Sequence, residues 1–421
     1  MTAEIAILNR TAVALAADSI VTLAGGLRPK TYDSAEKIFE LSRHQPIALM
    51  IYNNAQFMNA PLEIIIRRYR EGLTSKQFKH LVQVWPAFEA FLLAFKHEVD
   101  DELDHFTSFA LGELRSLQAM MVNHMLESLG RRRRKGIELP EAHLLRRCQE
   151  RELDALDNPL PGEPFATYTL DDFADRYGAT LDEVADKVLV SCDLTDPIRA
   201  ALRSMMFAVI KSTTRSTAFT GFVLAGFGSE ELFPTLDAVE VDGVYFDRFR
   251  ILAKNLVDID RRGPTAAVVP FAQKDMPERF ILGIDREFEK ALEDIAGNLV
   301  GQVIDQNKRA FRNGRGDAIK AAAAKQFHDG VERLKKKNAS NLNSVVNHLS
   351  KKELGEVAYS LVELTSRKRR YSNDMETVGG PIDVAILTRN EGFIWVRRKH
   401  YFDTELNPRY VQSISGRPGH G

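Results

Sequence analysis

The sequence predicts an α+β protein built in stacked layers. Strand-like segments stand at both ends of the chain and in its middle, long helical segments separate them, and no period of about 20–50 residues marks a repeat. Strands distributed in this way do not alternate one-for-one with helices, so a βαβ array is not expected.

Taken in order, Glu4 to Leu8 and Thr11 to Ala17 read as two apolar strands joined by the short polar connection Asn9-Arg10. They form a hairpin, with the chain terminus expected as its first edge. Gly25, Gly26 and Pro29 mark a loop. Glu36 to Leu41 and Pro46 to Tyr52 are the next strands. From Ala55 to about Glu71 the period becomes helical, with Leu62, Ile65 and Ile66 on one face and Arg67, Arg68 and Arg70 near the C-terminal end, where cations complement the helix dipole. A long stretch rich in Leu, Glu and Arg follows, broken near Pro159-Leu160-Pro161. Strand character returns at Ala218 to Gly226, Pro234 to Val241 and Thr265 to Phe271, and a helix is expected from there to about Val303. Residues 305–350 read as a polar helical pair extending away from the core. A helix over Lys352 to Leu364 precedes a last hairpin, Ile382 to Thr388 and Phe393 to Arg398, and the tail after Phe402 reads as disordered.

Composition narrows the function classes. Fifty-seven basic residues stand against 58 acidic, a net charge of −1, which disfavours a globally basic nucleic-acid binder. No apolar run approaches the roughly 18 residues of a membrane span. The opening Met1-Thr2-Ala3-Glu4-Ile5 lacks a basic stretch followed by an apolar core, so no secretory signal is expected. Two cysteines, Cys148 and Cys192, build neither a disulfide framework nor a zinc knuckle and suit a reducing cytoplasm.

Chemistry concentrates at the N-terminus. The small side chain of Thr2 permits removal of Met1, which leaves a free α-amine beside a hydroxyl. A threonine hydroxyl is a weak nucleophile until a base takes its proton, and an α-amine with an ordinary pKa of about 7.7–8.0 is such a base. The pair then needs a cation to tune it and a carboxylate to hold that cation. Asp18 ends the strand next to the terminal one, and Lys37 opens the following strand.

Thr2, Ala16-Ala17-Asp18 and Lys37-Ile38-Phe39-Glu40-Leu41, together with Val378-Gly379-Gly380-Pro381-Ile382-Asp383-Val384-Ala385-Ile386 near the other end, resemble the proteasome β-subunit and HslV peptidase family. Gly226 to Leu236 is similar to that family's middle hairpin. The resemblance implies a four-layer αββα sandwich of the N-terminal-nucleophile (Ntn) hydrolase type, here with large helical insertions. It places residues 1–74 in the first part of the sandwich, 75–195 in a helical insertion, 196–304 in the second part, 305–350 in a helical extension, 351–403 in the closing helix and hairpin, and 404–421 in the tail. It implies Thr2 as nucleophile, Lys37 as its electrostatic partner and Asp18 as the anchor of that lysine. Backbone N–H groups near Tyr52, Asn53 and Asn54 are the implied oxyanion donors. Where the family carries an Asp and a Ser before its final Gly-Gly, this chain has Met375 and Val378, with Asp374 and Glu376 alongside. Where the family has a Gly-Ser-Gly turn, it has Phe271-Ala272-Gln273.

The function expected is a cytoplasmic threonine-type hydrolase of peptide or protein amide bonds. It is expected to be a homo-oligomer with no cofactor and no catalytic metal, with an ATPase as an unspecified further partner. Two alternatives stand beside it: a catalytically inactive assembly or binding module on the same fold, and a helical scaffold whose basic blocks touch nucleic acid. Arg131 to Lys135, Lys335 to Lys337 and Arg367 to Arg370 are those blocks, read as solvated helix ends because no aromatic platform accompanies them. His97, Asp101 and His105 share one helical face at metal-ligand spacing and are read as solvent-facing.

Overall fold

The computed structural model describes residues 3–23, 30–32, 35–73, 77–95, 99–130, 140–307, 311, 315–372, 379–400, 402 and 405–409. The first half of the chain forms strands β1 (Ala3–Asn9), β2 (Ala12–Ala17), β3 (Val21–Leu23), β4 (Lys30–Tyr32), β5 (Ile38–Glu40), β6 (Ile47–Asn53), β7 (Gln56–Phe57) and β8 (Ala60–Pro61). Helices α1 (Leu62–Gly72), α2 (Val84–Ala94), α3 (Val99–Gly130), α4 (Pro140–Asp157), α5 (Leu170–Val188) and α6 (Asp196–Ile210) follow. The second half runs β9 (Thr220–Gly226), β10 (Thr235–Tyr245), β11 (Arg248–Asp258), β12 (Ala266–Ala272), α7 (Asp275–Leu282), α8 (Arg286–Gln306), α9 (Arg315–Val346), α10 (Lys351–Arg370), β13 (Asp383–Thr388) and β14 (Gly392–Arg397).

Two five-stranded antiparallel sheets carry the architecture, ordered β12-β1-β2-β13-β14 and β11-β10-β9-β6-β5. Side-chain alternation sorts each central strand between two cores. In β1 and β2, Ala6, Leu8, Val13, Leu15 and Ala17 face the second sheet, where Ala48, Met50, Val223, Ala225 and Leu236 meet them. The opposite set, Ile5, Ile7, Ala12, Ala14 and Ala16, packs under Leu354, Ala358, Leu361 and Val362 of α10. Alanines at 12, 14 and 16 present a shallow surface on which that helix lies. On the far side, Ile47, Leu49 and Ile51 of β6 pack against Leu62, Ile65, Ile66 and Tyr69 of α1 and Trp85 and Phe88 of α2. The layers are therefore helix, sheet, sheet, helix, the four-layer αββα sandwich expected from the sequence.

Several expectations are corrected by long-range pairing. β1 is not an edge, because β12 lies outside it in the register Ala3↔Ala272 to Asn9↔Ala266. The helix expected from Ala55 begins only at Leu62, after β7 and β8, which turn through Met58 and Asn59 with φ of 46° and 61°. The helix expected to reach Val303 is two helices, and Asp285 restarts the second by accepting a hydrogen bond from the Phe288 N–H. α2 belongs to the outer layer of the sandwich, whereas α3 to α6 form a separate helical unit that continues to Ile210. The loop at Gly25, Gly26 and Pro29 and the tail from 410 lie outside the described residues.

The helical unit has its own core, in which Phe106, Phe109, Leu114, Phe173, Tyr177, Leu181, Leu202 and Met206 meet Tyr245 and Phe246 at the tip of the β10–β11 hairpin. Arg250 locks the joint. It is fully buried, its Nη1 donates to Asp242 Oδ2 at 2.5 Å, and its remaining N–H groups donate to the carbonyls of Val209, Ile210, Ser212 and Thr214. A guanidinium so placed satisfies the orphan carbonyls at the C-terminal end of α6. By contrast, α8 buries none of its residues and pairs with α9 outside the sandwich.

Candidate active site

The charged residues at the start of β1 form a buried cluster. Asp18 follows the last residue of β2, and its carboxylate accepts three hydrogen bonds: from the Ala3 N–H at 3.0 Å, from Lys37 Nζ at 2.6 Å and from the Gly379 N–H at 2.9 Å. Asp18 and Lys37 are 1% and 4% exposed, so each charge depends on the other. Glu4 Oε1 stands 3.2 Å from Lys37 Nζ, adding a second buried carboxylate to the same ammonium. Lys37 Nζ therefore sits between two buried carboxylates, 2.6 Å from Asp18 and 3.2 Å from Glu4.

The fold explains why these groups meet. Asp18 and Ala3 stand at the joined ends of the β1–β2 pair, where Glu4 registers with Ala17. Lys37 lies just ahead of β5, and its carbonyl accepts from the Ile51 N–H at 2.9 Å, which seats it against the C-terminal end of β6. The segment before β13 closes the cluster, with the Ser19 N–H donating to the Gly379 carbonyl and Ser19 Oγ to the Pro381 carbonyl. Gly379 has a φ of 153°, and a Cβ there would stand 3.2 Å from Ile20 Cδ1. Glycine lets this backbone turn its N–H onto Asp18.

Among the residues read from the sequence, Asp18 and Lys37 are thus brought together. Thr2 lies outside the described residues; Ala3, the residue after it, is tied to Asp18. Met375, Val378, Asp374 and Glu376 also lie outside them. Tyr52, Asn53 and Asn54 occupy the end of β6 on the Lys37 side. Tyr52 Oη donates to Glu240 Oε1 at 2.9 Å, and burial first, then the Glu240 charge, hold the phenol above its ordinary pKa, so it remains a donor. Its ring lies over Gly221, where a Cβ would come within 2.0 Å of ring carbons. Asn53 adopts a φ of 70°, and its amide donates to the carbonyls of Thr217 and Phe219. Asn54 donates its side-chain amide to Ala218 and its backbone N–H to the Tyr52 carbonyl.

Sequence reasoning missed Glu4, whose only local signal is its parity with Ala6 and Leu8 on the inter-sheet face. It also missed the Tyr52–Glu240–Arg215 chain, in which Arg215 Nε donates to Glu240 Oε2 at 2.8 Å. A cavity of about 440 Å³ opens beside these groups between the two sheets, walled by Tyr52, Ala238, Phe271 and Ile281 and edged by Arg215, Glu240, Lys274 and Glu278. Burial pushes the Glu278 carboxyl above its usual range. Phe271 registers with Glu4, so one wall of the cavity adjoins the charged cluster. At the turn read as Phe271-Ala272-Gln273, Ala272 takes a φ of 56°, a left-handed conformation usually left to glycine.

Other candidate features resolve into local contacts. Asp101 and Asp104 both accept from the Asn59 side chain, while His105 Nε2 stands 3.5 Å from Asp242 Oδ1, so Asp101 and His105 serve different partners. His97 and Arg131 to Lys135 lie outside the described residues. Lys335 pairs with Glu289 and Glu332, Arg367 with Glu363, and Lys368 with Asp275. No helix of the described residues is long and apolar enough to cross a membrane. Cys148 and Cys192 are both unbonded.

No family model matches the chain, and no curated protein matches it. Solved structures that it matches include Anbu from Hyphomicrobium sp. strain MC1, with 10% identity, a TM-score of 0.28 and 99% of both chains covered. A Gly-1 mutant of Anbu from the same strain matches with 10% identity, a TM-score of 0.27 and 99% and 97% coverage. The family assignment read from the N-terminal motif is corrected here: no family model places this chain with proteasome β-subunits or HslV, and the solved structures that it matches include Anbu chains.

Proposed function

We propose that the chain is an amide hydrolase whose nucleophile is Thr2 after removal of Met1. The observation that carries this reading is the buried Lys37–Asp18 pair, tied through the Ala3 N–H to the residue that follows Thr2. Thr2 shares the parity of Glu4, Ala6 and Leu8, the residues of the inter-sheet face. In the proposed step the Thr2 α-amine takes the hydroxyl proton, and the oxygen attacks a peptide carbonyl. The Lys37 ammonium and backbone N–H groups at the end of β6 stabilise the charge that develops on the intermediate. Collapse transfers the proton to the leaving amine and leaves an ester on Thr2, which water then hydrolyses. The half-apolar cavity beside Tyr52 suits a peptide side chain, so the substrate class is a peptide or protein.

Two unbonded thiols fit a reducing cytoplasm as the site of action. Self-association completes the reading, because Phe288, Ile295, Leu299 and Val303 line one exposed face of α8, a spacing that a packed helix would cover. An ATPase remains an unspecified partner.

Hydrolysis of fluorogenic peptide amides tests the proposal. Thr2→Ala and Lys37→Met are each expected to lower kcat/KM at least a thousandfold, about 4 kcal/mol, with Thr2→Ser retaining part of the activity. Equal turnover by native chain and Thr2→Ala would end it. One observation favours a non-catalytic binding module instead: the Asn54 N–H is already committed to the Tyr52 carbonyl and is not offered to a substrate oxygen. That reading expects no turnover by any of these chains.

A further inference from the structure

The outlying α8–α9 pair carries a second cluster of chemistry-bearing side chains, independent of the Thr2 reading. Glu289 and Glu293 stand one turn apart on α8, and His328 faces them from α9. One ligand atom from each lies within 4.8 Å of the other two, and His328 Nδ1 is 3.7 Å from Glu293 Oε1. Bonds of about 2.0–2.1 Å to a tetrahedral ion require ligand separations of roughly 3.3–3.4 Å, so the three side chains would have to draw together on binding. The cluster opens into a cavity of about 600 Å³ whose edge also carries Glu278 and Glu332. Arg286 and Lys290 also line the cavity, and Lys335 Nζ engages its carboxylates directly, 3.0 Å from Glu289 and 2.7 Å from Glu332.

We propose that Glu289, Glu293 and His328 bind a divalent ion of the zinc class that cross-links α8 to α9. An imidazole nitrogen beside two carboxylates selects a borderline transition ion over magnesium or calcium, which prefer oxygen ligands alone. Lys335 yields Glu289 to the ion and keeps Glu332. The two helices have reason to need such a link. α8 buries no residue, and small residues at Ala296, Gly297, Ala323 and Ala324 leave a groove of about 630 Å³ between them, so apolar packing holds the pair weakly.

Zinc chloride titrated calorimetrically into the chelator-treated full chain is the test, with cobalt absorption as a direct reading of coordination. One saturable ion per chain is expected, together with slower amide exchange over 286–306. Glu293→Gln with His328→Gln is expected to weaken binding at least about a hundredfold, and Lys335→Met to tighten it about tenfold. These side chains are exposed or half-buried, and circular dichroism checks that the variants fold. Absence of saturable uptake, uptake that survives the double substitution, or uptake that Lys335→Met fails to tighten would each overturn the proposal.

Discussion

Ala3 and Asp18 exchange two hydrogen bonds: the Ala3 N–H donates to Asp18 Oδ1 at 3.0 Å, and the Asp18 N–H donates to the Ala3 carbonyl at 3.1 Å. The residue after Thr2 and the carboxylate that anchors Lys37 are thereby fixed to one another. Any movement of the first strand moves the charged cluster with it, which is how strand pairing becomes catalytic geometry in the proposed reaction.

Asp18→Ala leaves the Lys37 ammonium buried with Glu4 as its carboxylate partner and frees two backbone N–H groups. Stability is expected to fall by about 3–5 kcal/mol. Urea denaturation monitored by circular dichroism measures this, and a loss under about 1 kcal/mol would show that the cluster is not a structural keystone.

Arg250→Met removes a fully buried cation from Asp242 and from four carbonyls. The expected loss is again about 3–5 kcal/mol, concentrated in the helical unit rather than the sandwich. Hydrogen exchange separates the two: amides of 196–210 are expected to lose protection while those of β1 and β2 keep theirs.

Much of the sandwich was legible because its central strands are short apolar runs between polar turns, as at Ile5, Val13, Leu49 and Ile386. The meeting of Asp18 with Lys37 was legible because the two stand 19 residues apart among the first strands, whereas Gly379, which also donates to Asp18, comes from the far end of the chain. What stayed hidden was non-local. β1 reads as an edge until β12 arrives more than 250 residues later. β11 is not legible because Arg248, Arg250, Lys254 and Asn255 break its apolar pattern; Arg250 is buried because Asp242 supplies a carboxylate and the end of α6 supplies carbonyl acceptors. Glu4 reads as an ordinary polar strand residue until Lys37 is placed beside it.

Acid should loosen the same helical joint. Burial raises the Asp242 carboxyl, but the nearby His105 imidazole and the Arg250 charge outweigh it, and its net pKa lies below the usual value. A carboxyl depressed on folding contributes stability in full above its unfolded pKa of about 3.9, and that contribution is lost as pH falls through the folded value. Asp242→Asn is therefore expected to destabilise the chain at pH 7 and to narrow its stability gap to native below about pH 4. A gap that stays constant down to pH 2 would contradict this.

Gly221→Ala sets a methyl within 2.0 Å of the Tyr52 ring and forces the ring away. A cost of about 1–3 kcal/mol is expected. In the double variant with Tyr52→Ala the two losses should fall short of their sum, because the clash is gone. Simple additivity in thermal unfolding would place the strain elsewhere.

Leu299→Glu with Ile295→Glu puts two charges on the exposed apolar face of α8. Light scattering after size exclusion is expected to show an oligomer for the native chain and a smaller species for the variant. A native monomer would refute self-association.

The most direct measurement is intact mass after expression with the native start codon, before and after exposure to a peptide epoxyketone, which captures a hydroxyl and an α-amine on one residue. The expected result is loss of Met1 and a single adduct on Thr2, absent in Thr2→Ala and strongly reduced in Lys37→Met. A chain that retains Met1, or one that loses it and takes no adduct, would contradict the assignment of Thr2 as an activated nucleophile.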